Sequence, residues 1–265
     1  MFLGAMTAMY TKVFGERNTG AQYLARLIER NFATSVMRGA FEIDRRVLRL
    51  ALMPVRPRER AEHQSHLQDL DHERTLYSDF GWVHAAPPID VIRSAPHSGS
   101  TLFVLITKHP AHFLASLHAN PKNPRLPEGE VSFEDFLTRP WPLMRRDGLD
   151  RDALDHPMAL WSEKARVGVE MLGAAERALH IAYEDLLSDF DGQMARIAEH
   201  IPPTTGEWSN IRRGTRAKDN LTYDDYQRRY KYQRLKTHWR KRDLELIYRR
   251  VDRDLMKTLG YREVL

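Results

Sequence analysis

Two glycines, Gly15 and Gly20, bracket a polar turn inside residues 11–32, TKVFGERNTGAQYLARLIERNF. The apolar pair Val13-Phe14 leads into the turn. Tyr23, Leu24, Leu27, Ile28 and Phe32 leave it along one face of an amphipathic helix. Strand, glycine turn and helix together aim backbone N–H groups and a positive helix end at an anion, usually a phosphate. The glycines match the first two of the phosphate loop G-x-x-x-x-G-K-[ST]. Ala21 and Gln22 stand where that loop needs its Lys and hydroxyl residue, the groups that serve the β/γ-phosphates and Mg²⁺. Such a cradle suits a donor with a 5′-phosphate, no γ-phosphate and no required metal. A tight strand–helix turn that binds nothing would read the same way.

His84 is the second residue with chemistry to offer. It lies in residues 79–88, DFGWVHAAPP. Phe80, Trp82 and Val83 predict a short buried strand that Pro87 and Pro88 must end. That puts His84 at the strand's C-terminal end, the edge where open α/β sheets hold ligands. An imidazole neutral near pH 7 can take a proton from a reacting hydroxyl. It is one of twelve histidines, and a strand-end histidine is often purely structural.

The elements that would position these groups follow in order. Residues 35–52 predict a second helix, broken at Pro54 and Pro57. Residues 56–77, polar and rich in His and charge, predict an exposed helix or lid. STLFVLITK, residues 100–108, is a near-continuous β-branched run suited to a parallel strand covered on both faces. Pro110 opens a helix over 111–118. Residues 121–154 show little periodicity, and Phe136, Trp141 and Met144 there could line a pocket or cover the core. A helix over 158–173, a strand over 178–183 and a helix over 191–200 come next, then a terminal helix over 244–259 stopped by Gly260. The alternation predicts an α/β three-layer sandwich around a central parallel sheet, in one domain spanning 1–265. Variable lid segments fall near 53–78 and 119–157.

A net charge of +5 and a pI near 9.4 point to an anionic partner. There is no cysteine, hence no disulfide and no thiolate metal site. This suits a reducing, cytoplasmic setting. No apolar run reaches the roughly 18 residues of a membrane span, and the first ten residues do not read as a signal peptide.

Four stretches, in order, resemble the sulfotransferase family that uses 3′-phosphoadenosine 5′-phosphosulfate. Glu16-Arg17-Asn18-Thr19-Gly20-Ala21 resembles its 5′-phosphosulfate loop. Lys108-His109-Pro110, with Ser116 eight residues after Lys108, resembles its 3′-phosphate motif. Ala182-Tyr183-Glu184-Asp185-Leu186 is similar to the segment whose tyrosine lies near the adenine. Arg212-Arg213-Gly214 resembles the loop that closes over the 3′-phosphate. The resemblance implies a nucleotide-kinase-like, phosphate-loop fold and sulfuryl transfer to a small-molecule, carbohydrate or lipid hydroxyl, without metal. It implies His84 as general base. It also implies the N–H groups of Thr19, Gly20, Ala21 and Gln22 with Arg17 or Asn18 on the 5′ side. On the 3′ side it implies Lys108, Ser116, Arg212 and Arg213, with Tyr183 at the adenine and Gly214 allowing close approach. Three departures stand out, one being that the Trp and Phe that often accompany the closing loop are not evident after Gly214. Asn18 occupies the place before Thr19-Gly20 that is usually basic, and Arg17, one residue earlier, is favoured for that role. Lys108 replaces an Arg, keeping charge without the bidentate fork.

Two rivals share parts of the pattern. A phosphate-loop kinase shares the strand–loop–helix but would need the missing Lys and hydroxyl. A basic nucleic-acid-binding module could use residues 212–253, where Tyr223, Tyr226, Tyr230, Tyr232 and Trp239 alternate with Arg and Lys; helices packing those tyrosines inward fit equally. The acceptor would lie between the first helix and residues 56–77 and 121–154.

Overall fold

The computed structural model describes residues 9–39, 45–126, 129, 131–211, 221–231 and 239–264. Its centre is a four-stranded parallel sheet. β1 (Tyr10–Phe14) pairs with β2 (Ser35–Val36) on one side and with β3 (Thr101–Thr107) on the other, and β3 pairs with β6 (Ala178–Ala182). Residues of β3 alternate between two separate cores, as a strand buried on both faces requires. Leu102, Val104 and Ile106 pack with α1 (Ala21–Asn31) and α9 (Phe190–Ala198). Phe103 and Leu105 pack with α5 (Pro110–Ala119), α7 (Pro157–Ala174) and α11 (Lys241–Arg250). Helices therefore cover both faces, which is the α/β layering expected from the sequence.

The remaining elements are α2 (Arg45–Leu52), α3 (Arg60–Asp79), α4 (Ile89–Ser94), α6 (Phe133–Thr138), the two-residue antiparallel pair β4 (Trp141–Pro142) and β5 (Ala153–Leu154), α8 (Tyr183–Ser188), α10 (Tyr223–Arg229) and α12 (Arg253–Thr258). None of the helices among the described residues is long and apolar enough to cross a membrane.

Three expectations change. Residues 35–52 are not one helix: Ser35-Val36 extend the sheet edge, and the helix begins only at Arg45. The strand expected at Phe80–Val83 is absent. Phe80 and Gly81 take left-handed backbone angles (φ 57° and 69°) and close the end of α3, with the Gly81 N–H bonded to the Thr75 carbonyl at 3.1 Å. The terminal helix is two, α11 and α12, separated at Val251-Asp252. Phe136, Trp141 and Met144 belong to the interior, each at most 3% exposed.

Candidate functional site

Gly15, Lys108 and Tyr183 each follow the last residue of a strand, β1, β3 and β6 respectively. Parallel pairing brings those ends together at the C-terminal edge of the sheet, where the chain leaves one strand and crosses to the next. There a cavity of about 850 Å³ opens, lined by Arg17, Asn18, Gly20, Ala21, Gln22, His84, Lys108, Ser116 and Tyr183 among others. The structure thus brings nine of the sequence-selected residues to one hollow. Arg212, Arg213 and Gly214 lie outside the described residues.

The turn after β1 is held by its own polar groups. The Thr19 hydroxyl donates to the Glu16 carbonyl at 2.6 Å, and the Thr19 N–H donates to the same carbonyl at 3.1 Å. Thr19 therefore faces into the loop and is absent from the cavity wall, contrary to its expected part in binding. Gly20 has φ 94°, a region that side chains strain to enter, and a Cβ there would collide with the Tyr183 ring. This packing seats the start of α1 on β6's exit. No side chain caps that helix start, and no acidic residue stands in its first turn. The first N–H groups of a helix have no partner within it, and here they begin at a cavity wall made of Gly20, Ala21 and Gln22.

Asn18 also has a left-handed backbone (φ 68°), and its amide donates to the Asn120 carbonyl at 3.1 Å. Its side chain ties the loop to the segment after α5. Arg17 is 4% exposed. Its guanidinium bonds Asp147 at 3.1 Å and approaches Glu16 with Nε 3.2 Å from Oε1, without the alignment of a hydrogen bond.

Behind Arg17 lies a buried charge cluster that the sequence did not disclose. The Lys164 ammonium bonds Asp147 Oδ1 and the His84 carbonyl, each at 2.7 Å, and also Glu16. Asp147 is fully buried, and burial would raise its carboxyl, but Lys164 and Arg17 hold it down at about 2. One signal was available: Lys164 falls on the apolar face of α7, in phase with Trp161, Gly168 and Met171, all buried. A lysine on an inward face needs a partner.

His84 stands in a turn rather than at a strand end. The N–H of Gly15 bonds the Val83 carbonyl at 3.0 Å, fixing that turn against the loop. His84 Nδ1 lies 2.6 Å from the Gly15 carbonyl. A carbonyl can only accept, so the ring proton sits on Nδ1 and Nε2 carries the basic lone pair. Burial lowers the imidazole to about 4, outweighing Glu16 and the Gly15 bond, which raise it. The ring is neutral at pH 7. Trp82 packs edge-on against it at 5.0 Å, and the Arg17 and Arg146 guanidiniums each stand 5.0 Å from the Trp82 ring centre.

At the other end, Lys108 is 3% exposed, with its ammonium 4.2 Å from the centres of both the Tyr183 and Tyr230 rings. The Tyr230 hydroxyl is 3.1 Å from Ser116 Oγ, which also donates to the His112 carbonyl at 2.9 Å. Burial raises Tyr230, but Lys108 and the Ser116 bond prevail and hold it below the ordinary phenol. Tyr223, Tyr226, Tyr230 and Arg229 complete this wall. Tyr223, Tyr226 and Tyr230 are each half-buried, and Tyr232 lies outside the described residues. No group of three or more His, Asp or Glu side chains suited to a metal occurs among the described residues. No protein-family model matches the sequence, and neither does any curated protein.

Proposed function

We propose that the protein is a sulfotransferase that moves a sulfuryl group from 3′-phosphoadenosine 5′-phosphosulfate to an acceptor hydroxyl. The observation that carries the reading is the pairing, in one cavity, of two separate anion-attracting ends with a neutral imidazole between the loop and Trp82. The phosphate-loop-like start of α1, with Gly20, Ala21 and Gln22, would take the 5′-phosphate, and Arg17 would meet charge developing on it. Asn18 is committed to Asn120, which favours Arg17 for that role. Lys108 and Ser116 would take the 3′-phosphate, and Tyr183 would border the adenine. The Tyr230 hydroxyl, acidified between Lys108 and Ser116, would then stand in for a phosphate oxygen until the donor arrives. Arg229, on the same wall, is a further cation for that anchor.

Gripping both phosphates sets the sulfur in line with the acceptor. As the acceptor oxygen–sulfur bond forms, His84 Nε2 takes the proton. The sulfur–oxygen bond to the 5′-phosphate breaks, and its electron pair stays with adenosine 3′,5′-bisphosphate. A bound anionic donor beside the ring raises the imidazole's basicity from its buried value. The test is a pair of thermal-shift series: adenosine 3′,5′-bisphosphate in chelator should raise Tm, whereas stabilisation only by Mg·ATP, in a parallel series without chelator, would favour a phosphotransferase.

A further inference from the structure

The same cavity has a further wall to which the donor assignment gives no part. Four residues of α3, Ala61, Gln64, Ser65 and Gln68, line it. Their spacing of three, four and seven puts them on one helix face. Ser65 is committed, its hydroxyl and carbonyl each accepting from Arg146 Nη1 at 2.9 Å, while Asp69 takes the same nitrogen at 2.6 Å. Gln64 and Gln68 make no side-chain hydrogen bond among the described residues. The Arg146 side chain is 4% exposed, and its buried Nε has no partner among them either. Arg146 stands over Trp82, the ring that packs on His84, so this wall adjoins the imidazole.

Two amides one helical turn apart, roughly 5–6 Å between their Cβ atoms, present donors and acceptors alternately. The hydroxyls of a sugar present the same mixture of donors and acceptors, within reach of two flexible amide side chains. A phenol, sterol or acyl chain would instead need apolar walls to draw it from water. From α3 only Ala61 adds apolar surface to this lining, and the adjoining Trp82 ring is 9% exposed. We infer that the acceptor is a polyhydroxylated, sugar-like molecule, held by Gln64 and Gln68 with one hydroxyl turned to His84. The inference rests on the sulfuryl-transfer reading for the final step, and on the α3 wall for the acceptor class.

The test compares wild type with the Gln64→Leu/Gln68→Leu variant, which keeps side-chain volume and leaves the donor end untouched. A panel of neutral disaccharides, 4-nitrophenol and a sterol is offered with radiolabelled donor. Transfer to a disaccharide is expected, with KM raised about tenfold or more in the variant, the loss of two net hydrogen bonds. Affinity for adenosine 3′,5′-bisphosphate should change less than about twofold. Transfer to the phenol or sterol alone, or disaccharide kinetics unmoved by the substitutions, would overturn the acceptor class and leave sulfuryl transfer standing. Should the bisphosphate fail to bind at all, the transfer reading falls. Calorimetric titration of the disaccharides into nucleotide-free protein then decides the wall separately: weakening in the variant upholds it, and no binding or equal binding overturns it. Melting curves of both proteins check that the variant folds.

Discussion

His84 holds its ring proton on Nδ1 because the Gly15 carbonyl, 2.6 Å away, can only accept. The tautomer is thus written into the loop's own backbone, and Nε2 is left as the basic atom. His84→Ala should lower turnover about 10²-fold or more, with bisphosphate affinity retained; single-turnover kinetics beside a binding titration separate the two. Unchanged turnover would remove the imidazole from proton transfer. Arg17→Ala should reduce turnover far more than Asn18→Ala, since Asn18 fastens the loop while the Arg17 guanidinium stands at the cavity; the reverse ranking in the same assay would reassign the cation. The depressed imidazoles also set a pH response. Burial lowers His84, His109 and His180 to about 4 from 6.5. Unfolded, each takes its proton near 6.5, so stability is full above that pH and is lost as pH falls towards 4. Each ring contributes on the order of 1 kcal/mol or more by the lower end. Denaturant titrations at pH 7 and pH 5 should show the loss, and it should be smaller in His84→Ala.

The element that matters most is the β1–loop–α1 unit, and its geometry depends on what lies behind it. Gly20 must be glycine because its backbone is left-handed and the Tyr183 ring fills the space of a Cβ. Gly20→Ala should cost on the order of 1–3 kcal/mol and weaken bisphosphate binding together with stability. The loop's acidic and basic residues are pinned by α7 through Lys164. Replacing Lys164 with Met leaves Glu16 and Asp147 buried without their ammonium, which should cost about 3–5 kcal/mol. Urea melts check this, and a loss under 1 kcal/mol would mean that water or Arg17 takes over the role.

At the scale of the whole molecule, the sequence disclosed what is contiguous and hid what converges. β3, α5, α7 and β6 each announce themselves by an unbroken apolar run or a helical stripe, and their order implies the parallel sheet. The strand-end positions of Gly15, Lys108 and Tyr183 follow from that order. Residues 80–83 misled because apolar neighbours read as a strand. Gly81 was the visible sign of a helix stop, and the left-handed Phe80 before it was not legible. β2 is two residues long, too short for any period to register. The Glu16–Asp147–Lys164 cluster joins three distant segments, and buried charges look like surface charges until their partners are known. The misplaced part of Thr19 has a similar cause, since only the fold shows that its hydroxyl and N–H turn onto Glu16.

A crystal structure with adenosine 3′,5′-bisphosphate, grown in chelator, tests the central claim most directly. The account predicts the 5′-phosphate on the N–H groups of Gly20, Ala21 and Gln22. It predicts the 3′-phosphate beside Lys108 and Ser116, with the Tyr230 hydroxyl displaced and the His84 ring facing the 5′ end. A nucleotide that reaches only one of the two ends, or that leaves His84 turned away from it, would contradict the account.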